Sequence, residues 1–403
     1  MSREEATAHF TSFEPPTRTL MGPGPSDIHP RVSAAMGRPT IGHLDPRFVG
    51  LMDEVKALLQ YAFRTDNPLT LPISAPGSAG MEACLVNLVE PGDEVVVAQN
   101  GVFGGRMAQI VQRIGGVVHL VEGEWGRAVD PDAFKSALAA NPKAKVAAFV
   151  HAETSTGARS DAETLAALAR EHECLTVVDT VTSLGGSELE VDAWGLDAVY
   201  SGSQKCLSCA PGLSPVTFSS RAVERISART HAATSWFLDL NLVMGYWGGE
   251  GKRAYHHTAP VNAVYGLHEA LLMLREEGIE AAWARHASLH RALAAGLEAL
   301  GFEYLCPPGE RLSQLNAVKV PSGLDEAKAR GELLEVYNLE VGGGLGAMAG
   351  KLWRIGLMGA ACTRRNVLFC LGAIESVMAR AGLDRKGAGV GAAVAQLAVE
   401  DAK

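Results

Sequence analysis

A lysine just past an apolar strand pattern is the first residue of this sequence whose position carries chemistry. In Val199-Tyr-Ser-Gly-Ser-Gln-Lys-Cys-Leu207 the apolar run gives way to small residues and then to Pro211-Gly212. An amine held beyond a buried strand sits in a dry cleft, where lost solvation lowers its pKa. It then becomes a free nucleophile able to form a Schiff base with a carbonyl. The Ser, Gly and Cys around Lys205 leave room for a flat ring. Taken alone, the same lysine also reads as a surface residue at a strand end.

A second residue narrows that choice. Leu175-Thr-Val-Val-Asp179 ends an apolar run in an aspartate 26 residues before Lys205. A carboxylate there can meet a pyridine nitrogen and hold it protonated, which makes the ring an electron sink. By itself Asp179 would equally suit a helix cap. Together, one helix–strand unit apart, the two residues are far more specific. Ala75-Pro-Gly-Ser-Ala-Gly80 is a small-residue loop that runs into a helix carrying Glu82. Backbone N–H groups at a helix start bind phosphate, and Ser78 adds a hydroxyl, although an ordinary N-cap looks the same. Asn100-Gly-Val-Phe-Gly-Gly105 is expected to be a loop after a strand, from which Phe103 either stacks on a ring or fills the core. In Lys351-Leu-Trp-Arg-Ile-Gly356 an arginine lies inside an apolar strand. Arg354 needs a carboxylate, either in a structural ion pair or from a substrate. Tyr255-His-His-Thr258 groups polar side chains before a helix, but two adjacent histidines do not easily chelate one ion, and no metal is expected.

The elements that must position these residues follow from hydrophobic periodicity. Strand patterns fall at Glu94–Ala98, Val117–Val121, Val146–His151, Leu175–Asp179, Ala198–Ser201 and Ser214–Phe218, with helical patterns such as Ala79–Val89 and Ala162–Glu173 between them. That alternation predicts an α/β domain with a largely parallel sheet, whose ligand site lies outside the carboxyl ends of the strands. One long helical stretch, Pro260–Leu300, leads to a smaller α+β unit with strands at Asn316–Val320 and Leu352–Gly356 and helices at Asp325–Tyr337 and Thr363–Arg380. The expected division is an N-terminal arm (1–20), a large domain (21–280), a small C-terminal domain (281–385) and a Gly/Ala-rich tail (386–403) expected to be disordered.

Composition excludes several classes. At 47% hydrophobic and 20% charged residues, the 403-residue chain is ordinary globular material. Its net charge of −9, with no basic tract, argues against a nucleic-acid partner. Seven cysteines, odd in number and without metal-ligand spacing, suggest reduced thiols and a cytoplasmic protein. The Cys206–Cys209 pair is a C-x-x-C and keeps a redox reading open. The acidic, polar N-terminus has no targeting signature, and no apolar run approaches the roughly 20 residues of a membrane span.

With these motifs in order, the chain resembles the class V aminotransferases of pyridoxal-phosphate fold type I, above all the alanine–glyoxylate and serine–pyruvate aminotransferases. The resemblance runs through LMGPGPSDIHPRV from residue 20, NPLTLPIS, EPGDEVVV, HAETSTGA, SLGG, SGSQK, YHHT and LWRIG. It implies a mainly parallel seven-stranded sheet sandwiched by helices, pyridoxal 5'-phosphate as cofactor, and a homodimer with shared active sites. It further implies that Lys205 binds the cofactor as a Schiff base and shuttles a proton, and that Asp179 pairs with the pyridine nitrogen. Phe103 stands where the family usually stacks a tryptophan. Gly77, Ser78 and Gln204 hold the phosphate, Ala79 lies among the cofactor-binding residues, and Tyr255 and Thr258 reach in from the second subunit. Thr154 bonds near the ring O3′, Val181 packs the opposite ring face, Gly24 lines the substrate pocket, and Arg354 clamps the substrate carboxylate.

The implied reaction passes an amino group from a small L-amino acid (alanine or serine) to a 2-oxo acid (glyoxylate or pyruvate). (S)-Ureidoglycine–glyoxylate aminotransferases share the motif order and a Gln-Lys-Cys-Leu run like 204–207. Cysteine desulfuration on the same scaffold would need a mobile nucleophilic cysteine, and a non-catalytic cofactor-binding protein is the remaining class.

Overall fold

The computed structural model describes residues 7, 9–248, 253–383 and 387–402. Residues 1–6 and 8 of the expected arm, and 386 and 403 of the expected tail, lie outside the described residues.

Seven strands build the main sheet: β1 (Leu69–Ile73), β2 (Glu94–Gln99), β3 (Val117–Glu122), β4 (Ala144–Val150), β5 (Leu175–Asp179), β6 (Ala198–Tyr200) and β7 (Ser214–Phe218). Their spatial order is β1-β7-β6-β5-β4-β2-β3. Every neighbouring pair is parallel except β7, which runs antiparallel to both β1 and β6. All five residues of β5 are buried, as a strand covered on both faces requires. All six strand candidates are strands. The seventh, β1, carries Pro72, whose missing N–H is tolerated because β1 lies at the sheet edge.

Helices α1 (Gly77–Leu88), α2 (Val102–Ile114) and α3 (Ala162–Glu171) connect these strands. The α1 helix begins two residues earlier than its pattern suggested, directly after Pro76. Asp161 caps α3 by accepting from the Thr164 N–H at 3.1 Å, a contact typically worth about 1 kcal/mol. The unit between Asp179 and Lys205 holds no helix: turns occupy most of residues 181–195, and β6 follows at 198. Its run of Ser, Gly and Thr competes with a helix by bonding its own backbone.

The long helical stretch is two helices, α4 (Val261–Glu277) and α5 (Ile279–Ala299), because Gly278 takes φ +88° and ends the first. Beyond them, β8 (Glu303–Tyr304), β9 (Leu315–Lys319), β10 (Gly342–Gly343) and β11 (Leu352–Gly356) form an antiparallel sheet in the order β8-β9-β11-β10. Helices α6 (Glu326–Tyr337) and α7 (Arg364–Arg380) pack with it, capped by Asp325 and Thr363 respectively. Fully buried Trp353 of β11 lies 5.4 Å from Phe302, centroid to centroid, at the middle of this second core. The chain's beginning joins this end of the molecule: Thr19–Leu20 pairs in parallel with Leu339–Glu340, and Met21 is part of the second core.

The Gly/Ala-rich tail corrects the expectation of disorder. Residues Ala388–Asp401 form a helix, α8, that lies along α5. Glu375 accepts from the Gly387 and Val390 N–H groups at 2.8 and 2.9 Å, and Arg291 and Arg364 pair with Glu400 and Asp401. Ala393 and Leu397 repeat at helical spacing into the core. Small side chains hid that period without removing it.

Candidate active site

A cavity of about 220 Å³ opens where the residues that end or follow β1, β2, β4, β5 and β6 converge. This is the carboxyl side of the parallel strands, as expected for an open α/β sheet. A larger cavity of about 460 Å³ lies behind the lysine loop against α4 and α5. Its carboxylates are already matched, Glu277 to Arg285 at 2.5 Å and Glu276 to Arg31 at 2.6 Å.

Lys205 lies at one wall of the smaller cavity and its amine donates to the Pro23 carbonyl. Burial, then the nearby Arg354 charge, brings this amine down to about pH 8. Its loop is pinned by Ser26, whose N–H donates to Gln204 O at 2.9 Å and whose hydroxyl donates to Lys205 O at 2.7 Å. Gly24 packs against the lysine. A side chain at Gly24 would put its Cβ 2.5 Å from Lys205 Nζ, and φ +110° disfavours any such residue.

Asp179, the last residue of β5, is 3% exposed. Burial pushes its carboxyl up to about 6, although two donors oppose that rise. They are the Tyr200 hydroxyl at 2.6 Å and the Val181 N–H at 2.8 Å. Tyr200 meets Asp179 because the two are register partners on parallel strands. Its place at a strand end five residues before Lys205 was the available signal, and sequence reasoning passed over it.

Gly77 and Ser78 form the first turn of α1 and line the cavity with Gln204, whose buried Oε1 has no protein partner. Ala79, the next residue of α1, donates its N–H to Pro76 O at 2.7 Å and lies outside the cavity lining. Phe103 lines it, but from the first turn of α2 and not from a loop. Buried Glu153 accepts from the Phe103 N–H at 3.1 Å and so satisfies an N–H the new helix leaves open. Thr154 and Val181 also line the cavity. Arg106, three residues after Phe103, lines it too and was not singled out in the sequence.

Arg354 on β11 is 7% exposed and donates to two backbone carbonyls, Gly343 O at 2.8 Å and Thr154 O at 3.3 Å. Among the described residues no carboxylate lies within ion-pair distance of it. Burial lowers its guanidinium to about 10. Tyr255 and Thr258 stay outside this cavity. Tyr255 is 66% exposed and packs beside His43, with ring centroids 5.5 Å apart, and Thr258 is exposed.

The donor set fits a flat, phosphorylated pyridine aldehyde. It offers a low-pKa amine, a buried carboxylate, an aromatic wall, a helix start for a phosphate and an unpartnered amide beside it. The C-x-x-C reading falls away, because Cys206 and Cys209 are free, buried and pushed up to about 12 by burial.

Comparison with known proteins agrees. A family model described as aminotransferase class-V matches residues 27–362. The (S)-ureidoglycine–glyoxylate transaminase of Bacillus subtilis is 36% identical over 91% of each chain. An alanine–glyoxylate aminotransferase of Drosophila melanogaster is 41% identical over 87% of this chain and 90% of its own. The crystal structure of an alanine–glyoxylate aminotransferase from Nostoc sp. superposes with a TM-score of 0.91 at 44% identity, covering 94% of this chain and all of that one.

Proposed function

Because the chain belongs to the class V aminotransferases, enzymes that use pyridoxal phosphate, we propose that it transfers the amino group of L-alanine or L-serine to glyoxylate or pyruvate. The observation that carries this reading is Arg354: a buried guanidinium near the lysine with no carboxylate within ion-pair distance among the described residues, buried Glu153 acting on it only from further off. A buried cation without a counter-ion is costly, and a substrate carboxylate would supply one through two parallel N–H···O bonds.

Bound pyridoxal phosphate supplies the electron sink that lets the amino acid's Cα–H bond break at neutral pH. Lys205 Nζ would hold the cofactor's aldehyde and, as the base beside it, would carry the Cα proton. Asp179 keeps a proton on the ring nitrogen, with Tyr200 and the Val181 N–H holding its carboxylate in place. Phe103 and Val181 bracket the ring, Thr154 bonds near its O3′, and Gly77, Ser78 and Gln204 take the phosphate. Gly24 leaves the space beside the lysine amine clear, since any side chain there would meet Lys205 Nζ.

Tyr255 and Thr258 complete the site of a second copy in this reading, as a homodimer requires. Support comes from the exposed aromatic surface around them, with Trp236 64% and Phe237 38% exposed. Seven free, buried cysteines support a reducing compartment such as the cytoplasm, and no helix among the described residues is long and apolar enough to cross a membrane. Burial of Cys362 and Cys370 also counts against desulfuration, which needs an accessible thiol.

The test is spectroscopic. The visible band of the lysine-bound cofactor should bleach on adding L-alanine or L-serine and return with glyoxylate. Bleaching by (S)-ureidoglycine alone would favour that donor instead, in keeping with the Bacillus relative. No response to any amino acid would overturn the reading. Arg354→Gln should raise KM for the amino donor by about 10- to 100-fold, the worth of a charged hydrogen-bond pair. An unchanged KM would remove Arg354 from substrate binding.

A further inference from the structure

Three of the residues that line the small cavity carry charge: Arg106, Asp179 and Lys205. The lysine is committed to the cofactor's aldehyde and the aspartate to its ring nitrogen. The phosphate brings nearly two negative charges, and a helix start offers only about half an elementary charge against them. Arg106 is the cation left over.

Its geometry suits that task. Arg106 is one turn after Phe103 on α2, so the two share a face. Its Nη1 donates to Ser78 Oγ at 2.9 Å, and its Cζ stands 4.9 Å from the centre of the Phe103 ring. No carboxylate among the described residues lies within ion-pair distance of it. Because Ser78 Oγ accepts from the arginine, its own O–H is free to donate towards a ligand at the start of α1. The remaining guanidinium N–H groups face no competing anion.

We propose that Arg106 is the counter-charge of the cofactor's phosphate, acting with Ser78, while the flat of its guanidinium braces the Phe103 ring. The proposal rests on the cofactor seat described above and adds to it an ionic contact at the phosphate end. A phenylalanine offers less stacking surface than the tryptophan usual in the family, and an ionic contact at the phosphate end anchors the same molecule from its other side.

Pyridoxal, which lacks the phosphate, separates this role from a purely structural one. Equilibrium binding of pyridoxal phosphate and of pyridoxal would be measured on the cofactor-free wild type, Arg106→Gln and Arg106→Lys, from the visible band of the bound aldehyde. The expected result is that Arg106→Gln weakens pyridoxal phosphate by about 10- to 100-fold, weakens pyridoxal far less, and makes inorganic phosphate a poorer competitor. Arg106→Lys should restore most of the loss. Equal weakening of both aldehydes would mean that Arg106 acts only through the Phe103 ring, and unchanged binding of both would mean no contact, so either overturns the proposal. Normal cofactor binding with a raised KM for a dicarboxylic substrate would overturn it too, by making Arg106 a substrate group. If the wild type captures no pyridoxal phosphate, the seat itself is wrongly assigned, a failure distinct from any result of the Arg106 variants.

Discussion

Lys205→Ala should abolish transamination, with a loss on the order of 10⁴-fold or more, and leave the protein folded. The size follows from losing two functions at once, the covalent hold on the cofactor and the base that moves the Cα proton, and the second alone is typically worth about 10²–10⁴-fold. The fold should survive because the amine's one hydrogen bond among the described residues is to the Pro23 carbonyl, and its removal also relieves a buried amine next to Arg354. Steady-state assays with alanine and glyoxylate, alongside a thermal melt, check both halves. Full activity in the variant would refute the assignment. The same amine sets a pH signature. Since burial and then Arg354 bring it to about 8, capture of the cofactor by the empty enzyme should speed up as pH rises through about 8. Arg354→Gln removes a repelling positive charge, so the amine stays protonated to higher pH and the inflection moves upward.

Asp179→Asn should slow each half-reaction by about 10²- to 10³-fold, the usual cost of removing one preorganised electrostatic partner. An amide is nearly the same size and still accepts a hydrogen bond, but it cannot neutralise a protonated ring nitrogen. Asp179 also has a pH window. Its carboxyl is raised from 3.8 to about 6, chiefly by burial, so in the empty cavity it gains a proton as pH falls through about 6. Cofactor binding should weaken below that point in the wild type and lose the inflection in Asp179→Asn. Tyr200→Phe deletes the 2.6 Å hydrogen bond that favours the ionised form, so the inflection should move to higher pH. Cofactor titrations from pH 5 to 8 on the three proteins test this, and an inflection that stays near 6 in Asp179→Asn would assign it to another group.

Much of this was legible because the information was local. Apolar runs as dense as LTVVD and VAAFV have one stable use, a strand covered on both faces, and an ionisable residue at the end of such a run must face the cleft there. That logic determined six of the seven strands of the main sheet and the joint position of Asp179 and Lys205, while Leu69–Ile73, the edge strand broken by Pro72, escaped it. The helices around Asp325 and Thr363 were visible for a similar reason, since a side chain that caps a helix lies within three residues of the N–H it serves.

What escaped the sequence was decided by residues far apart in the chain. Phe103 lies on a helix because Glu153, 50 residues away, binds its N–H. Residues 388–401 form a helix because α5 offers a groove to a stripe of small side chains too weak to show as a pattern. The Tyr200–Asp179 bond depends on strand register, and the open guanidinium of Arg354 on which carboxylates the two sheets happened to bring near it. Periodicity and spacing describe neighbours along the chain. Charge balance inside a cavity depends on neighbours across it, and only the tertiary structure brings those together.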